Sequence, residues 1–199
     1  MSEDHYFSAR PASADERRLI RVTLAGRELS LEVAPGIFSP DHVDLGTQVL
    51  LRTVPAPVGR VLDLGCGWGP IALAAALRSP DVTVTAVDVN ERALDLAARN
   101  AAAAGVGDRV TVLAPAAVAT DAVFDTIWSN PPIRVGKAAL HDLLGSWLPR
   151  LAPAGEAWLV VQRHLGADSL AVWLADQGWG EVEKVASAKG FRVLRVTAP

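Results

Sequence analysis

The stretch Val61-Leu62-Asp63-Leu64-Gly65-Cys66-Gly67-Trp68-Gly69-Pro70 constrains this chain more than any other. An apolar run with strand character ends in a glycine at every second position, and a helical pattern follows at once. Glycine permits backbone conformations that a Cβ forbids, so such a turn can fold tightly and let a ligand approach the main chain. A strand, a glycine-rich turn and a helix N-terminus together form the nucleotide cradle of doubly wound α/β folds. The spacing narrows the reading further. The dinucleotide fingerprint requires G-x-G-x-x-G, whereas here the third glycine comes one residue early and Pro70 takes its slot. Alternatively, the stretch is an ordinary glycine-rich strand-to-helix turn.

The chain has 199 residues, half of them hydrophobic, enough for one well-buried α/β domain and short for two. Its net charge of -3 counts slightly against a freely acting nucleic-acid binder but leaves room for a local basic patch. The single cysteine, Cys66, has no partner for an internal disulfide, which suits a reducing, cytoplasmic setting. No N-terminal apolar core of a secretory signal is visible. The longest apolar run, near Ile71 to Leu77, is far too short to cross a bilayer. His5, His42, His141 and His164 are too scattered for metal-ligand spacing, so no metal is expected.

Taken in order, residues 1–18 are polar and irregular and predict a mobile arm, with His5-Tyr6-Phe7-Ser8 either packing on the surface or flapping over a ligand. Alternation over Leu19 to Thr23 and Glu28 to Val33 around Ala25-Gly26-Arg27 predicts a β-hairpin. Asp41 is placed to cap a helix over His42 to Val54, which Pro55 and Pro57 stop. Residues 19–58 therefore form an elaboration at the front of a single domain spanning 19–199. From Arg60 onward strands alternate with helices. Strands are predicted at Val61–Leu64, Val82–Val87, Arg109–Leu113, Val123–Ser129, Glu156–Val161, Glu181–Ala186 and Phe191–Thr197. Helices are predicted from about Trp68 to Arg78, Glu91 to Ala104, Lys137 to Leu151 and Asp168 to Gln177. The loop Pro153-Ala154-Gly155 separates the third of these helices from its strand. Such alternation implies a mostly parallel sheet. The short link Ser187–Gly190 requires the last two strands to run antiparallel.

This pattern, with Asp-x-Gly-x-Gly-x-Gly after the first strand of the alternating unit, resembles the class I S-adenosylmethionine (SAM) methyltransferases. The resemblance implies a Rossmann-like, seven-stranded α/β sheet in the order 3-2-1-4-5-7-6 with the last strand antiparallel. Ligands of open α/β sheets bind outside the carboxyl ends of the strands where strand order reverses, here between the first and fourth strands. Gly65, Cys66, Gly67 and Gly69 follow the first. Asp88 and Val89 end the second, where the carboxylate can accept from both hydroxyls of a ribose or simply cap the next helix. Asp63 can accept from backbone amides of the turn or face the cofactor's ammonium group. Many SAM enzymes carry an Asp after the third strand, but here the chain reads Leu113-Ala114-Pro115-Ala116. Adenine recognition then falls to backbone groups or to a displaced residue such as Asp121.

Asn130-Pro131-Pro132-Ile133 follows the fourth strand. A residue before proline is driven toward extended geometry, which projects the Asn130 side chain into the cleft. Pro131 lacks an N–H but keeps an accepting carbonyl. The Asn130 side-chain oxygen and the Pro131 carbonyl can grip the two hydrogens of a planar amine, leaving its lone pair for an activated methyl. No charged nucleophile or metal is needed. Arg134 and Lys137, with Arg163, His164, Lys189 and Arg192, can form a rim for phosphates or remain solvated surface charges.

A wider set of stretches resembles the small-methyltransferase (MTS) family: His5-Tyr6-Phe7-Ser8, Gly36-Ile37-Phe38-Ser39, Asp44-Leu45-Gly46-Thr47, the glycine turn, Asn130-Pro131-Pro132-Ile133-Arg134-Val135-Gly136-Lys137, Val160-Val161-Gln162-Arg163 and Lys189-Gly190-Phe191. They run through nearly the whole chain. The resemblance implies N-methylation with SAM as cofactor, guanine N2 of small-subunit (16S) rRNA as leading target, and rRNA or the ribosomal small-subunit particle as partner. It also implies that Gly46 and Thr47 approach the cofactor. Larger family members carry an extra N-terminal domain, and this chain resembles the single-domain form. Ile133 stands where many N-methyltransferases have an aromatic residue, so base stacking passes to Phe38, Tyr6 or Phe7. Three other targets use the same chemistry: a protein glutamine, adenine N6 or a small molecule. A SAM-binding partner protein without activity is the rival from another class.

Overall fold

The computed structural model describes residues 9, 11, 13–132 and 135–199. The two-stranded front piece forms first. β1 (Arg18–Leu24) pairs antiparallel with β2 (Arg27–Val33). Ala25 and Gly26 both sit at positive φ in the connecting turn, the conformation a two-residue hairpin link requires. α1 (Leu45–Thr53) follows, three residues later than the sequence predicts, because Asp44 and not Asp41 caps it. The Asp41 carboxylate is instead bonded by Arg18 of β1.

The alternating unit then appears as expected. Its elements are β3 (Arg60–Leu64), α2 (Pro70–Arg78), β4 (Thr83–Val87), α3 (Glu91–Ala103), β5 (Val110–Leu113), β6 (Phe124–Ser129), α4 (Lys137–Trp147), β7 (Leu151–Gln162), α5 (Ala167–Asp176), β8 (Glu181–Ala188) and β9 (Phe191–Thr197). The seven strands lie in the order β5-β4-β3-β6-β7-β9-β8, which is the 3-2-1-4-5-7-6 arrangement that the family resemblance implies. β3 pairs in parallel with β4 and β6, and β9 runs antiparallel to both neighbours. Pro153-Ala154-Gly155 does not precede the fifth strand as a separate turn. It lies within β7 at a register shift against β6, with Ala154 at φ 59°. The link between β8 and β9 shortens to Lys189-Gly190. α4 ends at Trp147, four residues short of the expected Leu151, because a 3-10 turn over Leu148–Arg150 leads directly into β7; the remaining boundaries fall within about two residues of expectation.

Side chains alternate across the sheet, as its period of two demands. Val61, Val84, Trp128, Trp158 and Val193 pack toward α1, α2, α3 and the hairpin. Leu62, Leu64, Ile127, Leu159 and Leu194 pack toward α4 and α5. The sheet is thus covered on both faces, which is why its central strands read as unbroken apolar runs. Buried Asn100 ties front piece to core. It accepts from Glu32 N at 2.7 Å and donates to Glu32 O and Trp68 O at 2.9 Å.

Of the arm expected over 1–18, the described residues lie against α3. Ala9 O accepts from Glu91 N at 2.9 Å, and Arg92 donates to Ser13 O at 2.8 Å. Arg17 bonds Asp95 at 2.6 Å. His5-Tyr6-Phe7-Ser8 lies outside the described residues. Among the described residues no helix is long and apolar enough to cross a membrane.

Candidate active site

The glycine turn is stapled across the sheet, with Gly65 N and Cys66 N both donating to Val87 O, at 2.8 and 2.9 Å. Gly65 and Gly67 hold φ of 80° and 54°, and a Cβ on either would meet nothing within 4 Å. The main chain therefore faces open space. Cys66 is buried below the turn, and burial pushes its thiol well above the usual range. Gly69 lies elsewhere. It occupies the N-cap of α2 and approaches Ala97 of α3.

A glycine N-cap offers no side-chain acceptor, and Asp63 replaces it from β3. Its Oδ2 accepts from Ala72 N at 2.8 Å while its Oδ1 has no partner among the described residues. Of the two roles open to Asp63 in the sequence, the structure shows the bond to a backbone amide. Burial, with the charge of Asp88 nearby, pushes its carboxyl up to about 8.

Asp88 does reach the cleft. Oδ2 accepts from Gly67 N and Oδ1 from Asn90 N, both at 2.9 Å. Burial raises its pKa, and these backbone N–H groups pull it back. Each oxygen keeps a further lone pair. Asn90, not Asp88, caps α3, accepting from Arg92 N and Ala93 N.

Asn130 stands at the end of β6. Its Nδ2 donates to Asp44 Oδ2 at 2.8 Å and to Thr47 Oγ1 at 3.1 Å. No described residue donates to the Pro131 carbonyl. Gly46 sits between Asp44 and the ring of Phe191. A Cβ there would come within 2.8 Å of Phe191 Cε1 and 2.9 Å of Asp44 Oδ2.

These pieces line one cavity of about 660 Å³, inside the range of roughly 300–1,000 Å³ typical of small-molecule sites. Gly65, Gly67, Asp88, Val89, Asn130, Pro131, Pro132 and Phe38 all line it. Cys66 and Thr47 line a small adjoining recess that also touches Asn130. Asp63, Gly69, Gly46 and Lys137 line neither, and nor does Asp121; Pro115 is the lining residue beyond β5. Ile133 and Arg134 lie outside the described residues. Asp44, Gln162 and Phe191, which the sequence shows only within family-like stretches, and Trp147, which it assigns no site role, also line the cavity. Asp44 had a usable signal, since Asp followed by Gly-Thr two and three residues on is a helix-capping pattern. The others come from distant segments. Among the described residues no cluster of His, Cys, Asp and Glu is placed to hold a metal.

The sequence profile of the methyltransferase small domain family matches residues 28–195. The chain belongs to that family. This member is a methyltransferase. It is 33% identical over 199 residues to an uncharacterized protein of Bacillus subtilis, YbxB, covering 98% of each chain. It is 36% identical over 163 residues to the ribosomal RNA small subunit methyltransferase C of Vibrio vulnificus, covering 76% of this chain and 46% of that one. The chain spans about half the length of the rRNA methyltransferases it matches. A T. thermophilus 16S rRNA N2 methyltransferase, solved with AdoMet and guanosine, shares the fold. Its TM-score is 0.79 at 24% identity, covering 95% of this chain and 52% of that one.

Proposed function

We propose that this methyltransferase family member modifies a planar exocyclic amine, with guanine N2 of small-subunit rRNA as its target. The observation that carries the reading is the position of Asn130 and Pro131 on the wall of the cavity that the glycine turn and Asp88 also line. The cavity fits the cofactor: open space above Gly65 and Gly67 admits it, and Asp88 has lone pairs left for ribose hydroxyls. Val89 and Pro115 offer apolar surface to the adenine. SAM brings a methyl group already activated on a positive sulfur.

The chain's own residues then have one task, which is alignment. Nδ2 of Asn130 is turned toward Asp44 and Thr47, so its carbonyl oxygen is the end left for the cavity. That oxygen and the Pro131 carbonyl accept the two N–H bonds of the amine. The nitrogen lone pair is thereby directed at the methyl, and the nitrogen releases a proton to solvent as it gains carbon. Holding reactants in line can lower a barrier by roughly 7–11 kcal/mol, so the site needs no strong base.

The mouth supports a polyanionic substrate. Lys137, Arg163, His164 and Lys189 are exposed beside lining residues, and none has an ion-pair partner among the described residues. Arg192 does not belong with them, because it and Lys184 pair with Asp168. Phe38 and Leu165, 42% and 44% exposed on the lining, offer apolar faces for a base.

The test is transfer of labelled methyl from SAM to small-subunit rRNA lacking the modification, followed by nucleoside mass spectrometry. N2-methylguanosine is the expected product. Label on a protein glutamine or on adenine N6 would replace the substrate while keeping the amine clamp. SAM binding with no transfer to any planar nitrogen would leave a binding protein.

A further inference from the structure

The Asn130 amide has two ends of opposite character, and only one of them suits an amine. Its oxygen accepts; its nitrogen carries two hydrogens and accepts nothing. A reversed amide would aim two N–H bonds at the two N–H bonds of the substrate and disrupt the grip. Asn130 cannot choose between these orientations by shape, because the two ends are nearly isosteric. Something outside the residue must decide.

We propose that Asp44, with Thr47 beside it, is the positioning residue that fixes the polarity of the Asn130 amide and so turns its oxygen toward the amine. The proposal rests on the amine-clamp reading given above. Asp44 Oδ2 receives three N–H groups: Gly46 N at 2.7 Å, Thr47 N at 3.2 Å and Asn130 Nδ2 at 2.8 Å. Thr47 Oγ1 supplies a second acceptor to the same Nδ2 at 3.1 Å, from a side chain only 3% exposed. Both hydrogens of the amide thus have acceptors on α1. A carboxylate offers no proton to an amide oxygen, so the reversed orientation would set oxygen against oxygen at Asp44. A bond to a charged partner is worth enough to bias the two orientations roughly 10- to 100-fold.

The arrangement gives the front piece of the chain a part in the chemistry. α1 is not one of the alternating elements, and Asp44 lies far from Asn130 in sequence. The same carboxylate caps α1 and holds the amide, so the helix cannot shift without releasing the clamp. Gly46 is what permits the approach, since a side chain there would collide with Asp44 and Phe191.

The two duties of Asp44 separate by substitution. Serine caps a helix about as well as aspartate but is too short to reach Asn130. Asparagine caps equally well and retains an oxygen within reach. Asp44→Ser is therefore expected to fold normally by thermal melting and to bind SAM within about threefold of the unaltered protein by calorimetry. Its kcat on unmodified small-subunit rRNA should fall roughly 10- to 100-fold with little change in KM. Asp44→Asn should recover most of that loss. In an Asn130→Ala background, Asp44→Ser should have no additional effect on turnover. A readout independent of the substrate is the ¹⁵N side-chain resonance pair of Asn130, identified by its absence from the Asn130→Ala spectrum. Its hydrogens should exchange slowly with solvent in the unaltered protein and rapidly in Asp44→Ser. If rRNA is not the substrate, turnover fails in every variant but the exchange difference persists. Equal exchange in the two proteins, or full kcat in Asp44→Ser, would overturn the positioning role.

Discussion

The two long walls of the cavity are built on different plans. On the cofactor side, Gly65, Gly67 and Asp88 come from the ends of β3 and β4, neighbouring parallel strands in register, and backbone N–H groups already bond the Asp88 carboxylate. On the acceptor side, Asn130 is bonded to Asp44 of the α1 cap, and Gln162 at the end of β7 and Phe191 at the start of β9 line the same cavity. One wall is a single local motif held by main chain. The other is assembled by side chains from four separate segments. On the proposed function, the difference teaches where each kind of function resides: cofactor binding in the common α/β framework, and the choice of methyl acceptor in what packs around it.

The comparison breaks most clearly at Asn130. Asn130→Ala is expected to lower turnover by roughly 10²- to 10³-fold, the usual loss for one preorganised polar group aimed at a reacting centre, with SAM affinity within about threefold by calorimetry. A parallel fall in SAM affinity would merge the two walls into one. Asp88→Ala is the reciprocal change. Loss of its charged hydrogen bonds should weaken SAM binding roughly 10- to 100-fold, while turnover at saturating cofactor stays near that of the unaltered protein. Unchanged affinity in this variant would remove the ribose assignment.

The same division explains what could be read from the chain alone. The glycine turn and Asp88 were legible because each directly follows a strand whose apolar run is unmistakable. The strand order followed from resemblance to a known plan. Gly69 and Asp63 match the same motif, and the structure places both at the start of α2 rather than on the cavity lining. On the acceptor wall Asn130 and the prolines were legible because proline restricts its predecessor locally, and Phe38 was named only through the family resemblance. Asp44 was obscured by Asp41, an equally good cap three residues earlier that is diverted by Arg18 of β1, a contact between segments that no local pattern encodes. Gln162 and Phe191 were visible as family-like stretches, but pairing of β9 with β7 was needed to bring them to the site.

Asp63 and Asp88 sharpen the contrast within the cofactor wall. Both are buried carboxyls raised by desolvation, but only Asp88 lines the cavity. An acid raised to about 8 by folding favours the folded state fully below its unfolded pKa, near 4. That advantage is lost as pH rises, since the unfolded chain ionises freely and the folded one resists until its own pKa is reached. Melting temperature should therefore decline between about pH 4 and 8. Asp63→Asn, which keeps an oxygen for Ala72 N, should flatten that decline and raise stability at pH 8 by on the order of a few kcal/mol. A decline of the same slope in Asp63→Asn would assign the effect to Asp88 or to other carboxyls.

The smallest expected effect lies at Gly46, beside Asp44 and Phe191. Resemblance to the family places Gly46 against the cofactor, whereas the structure packs it beneath Phe191 and beside Asp44. Gly46→Ala tests which surroundings matter. Alanine in the first turn of α1 gains up to about 1 kcal/mol over glycine in helix propensity. Its Cβ, at 2.8 Å from Phe191 Cε1, must displace the ring at a cost of about 1–3 kcal/mol. The first term offsets part of the second, so stability should fall by no more than about 3 kcal/mol. The displaced ring and crowded Asp44 carboxylate should instead lower turnover several-fold on the acceptor side, with SAM affinity unchanged. A drop in SAM affinity with intact turnover at saturation would move Gly46 to the cofactor wall and make α1, not the glycine turn alone, part of how the donor is held.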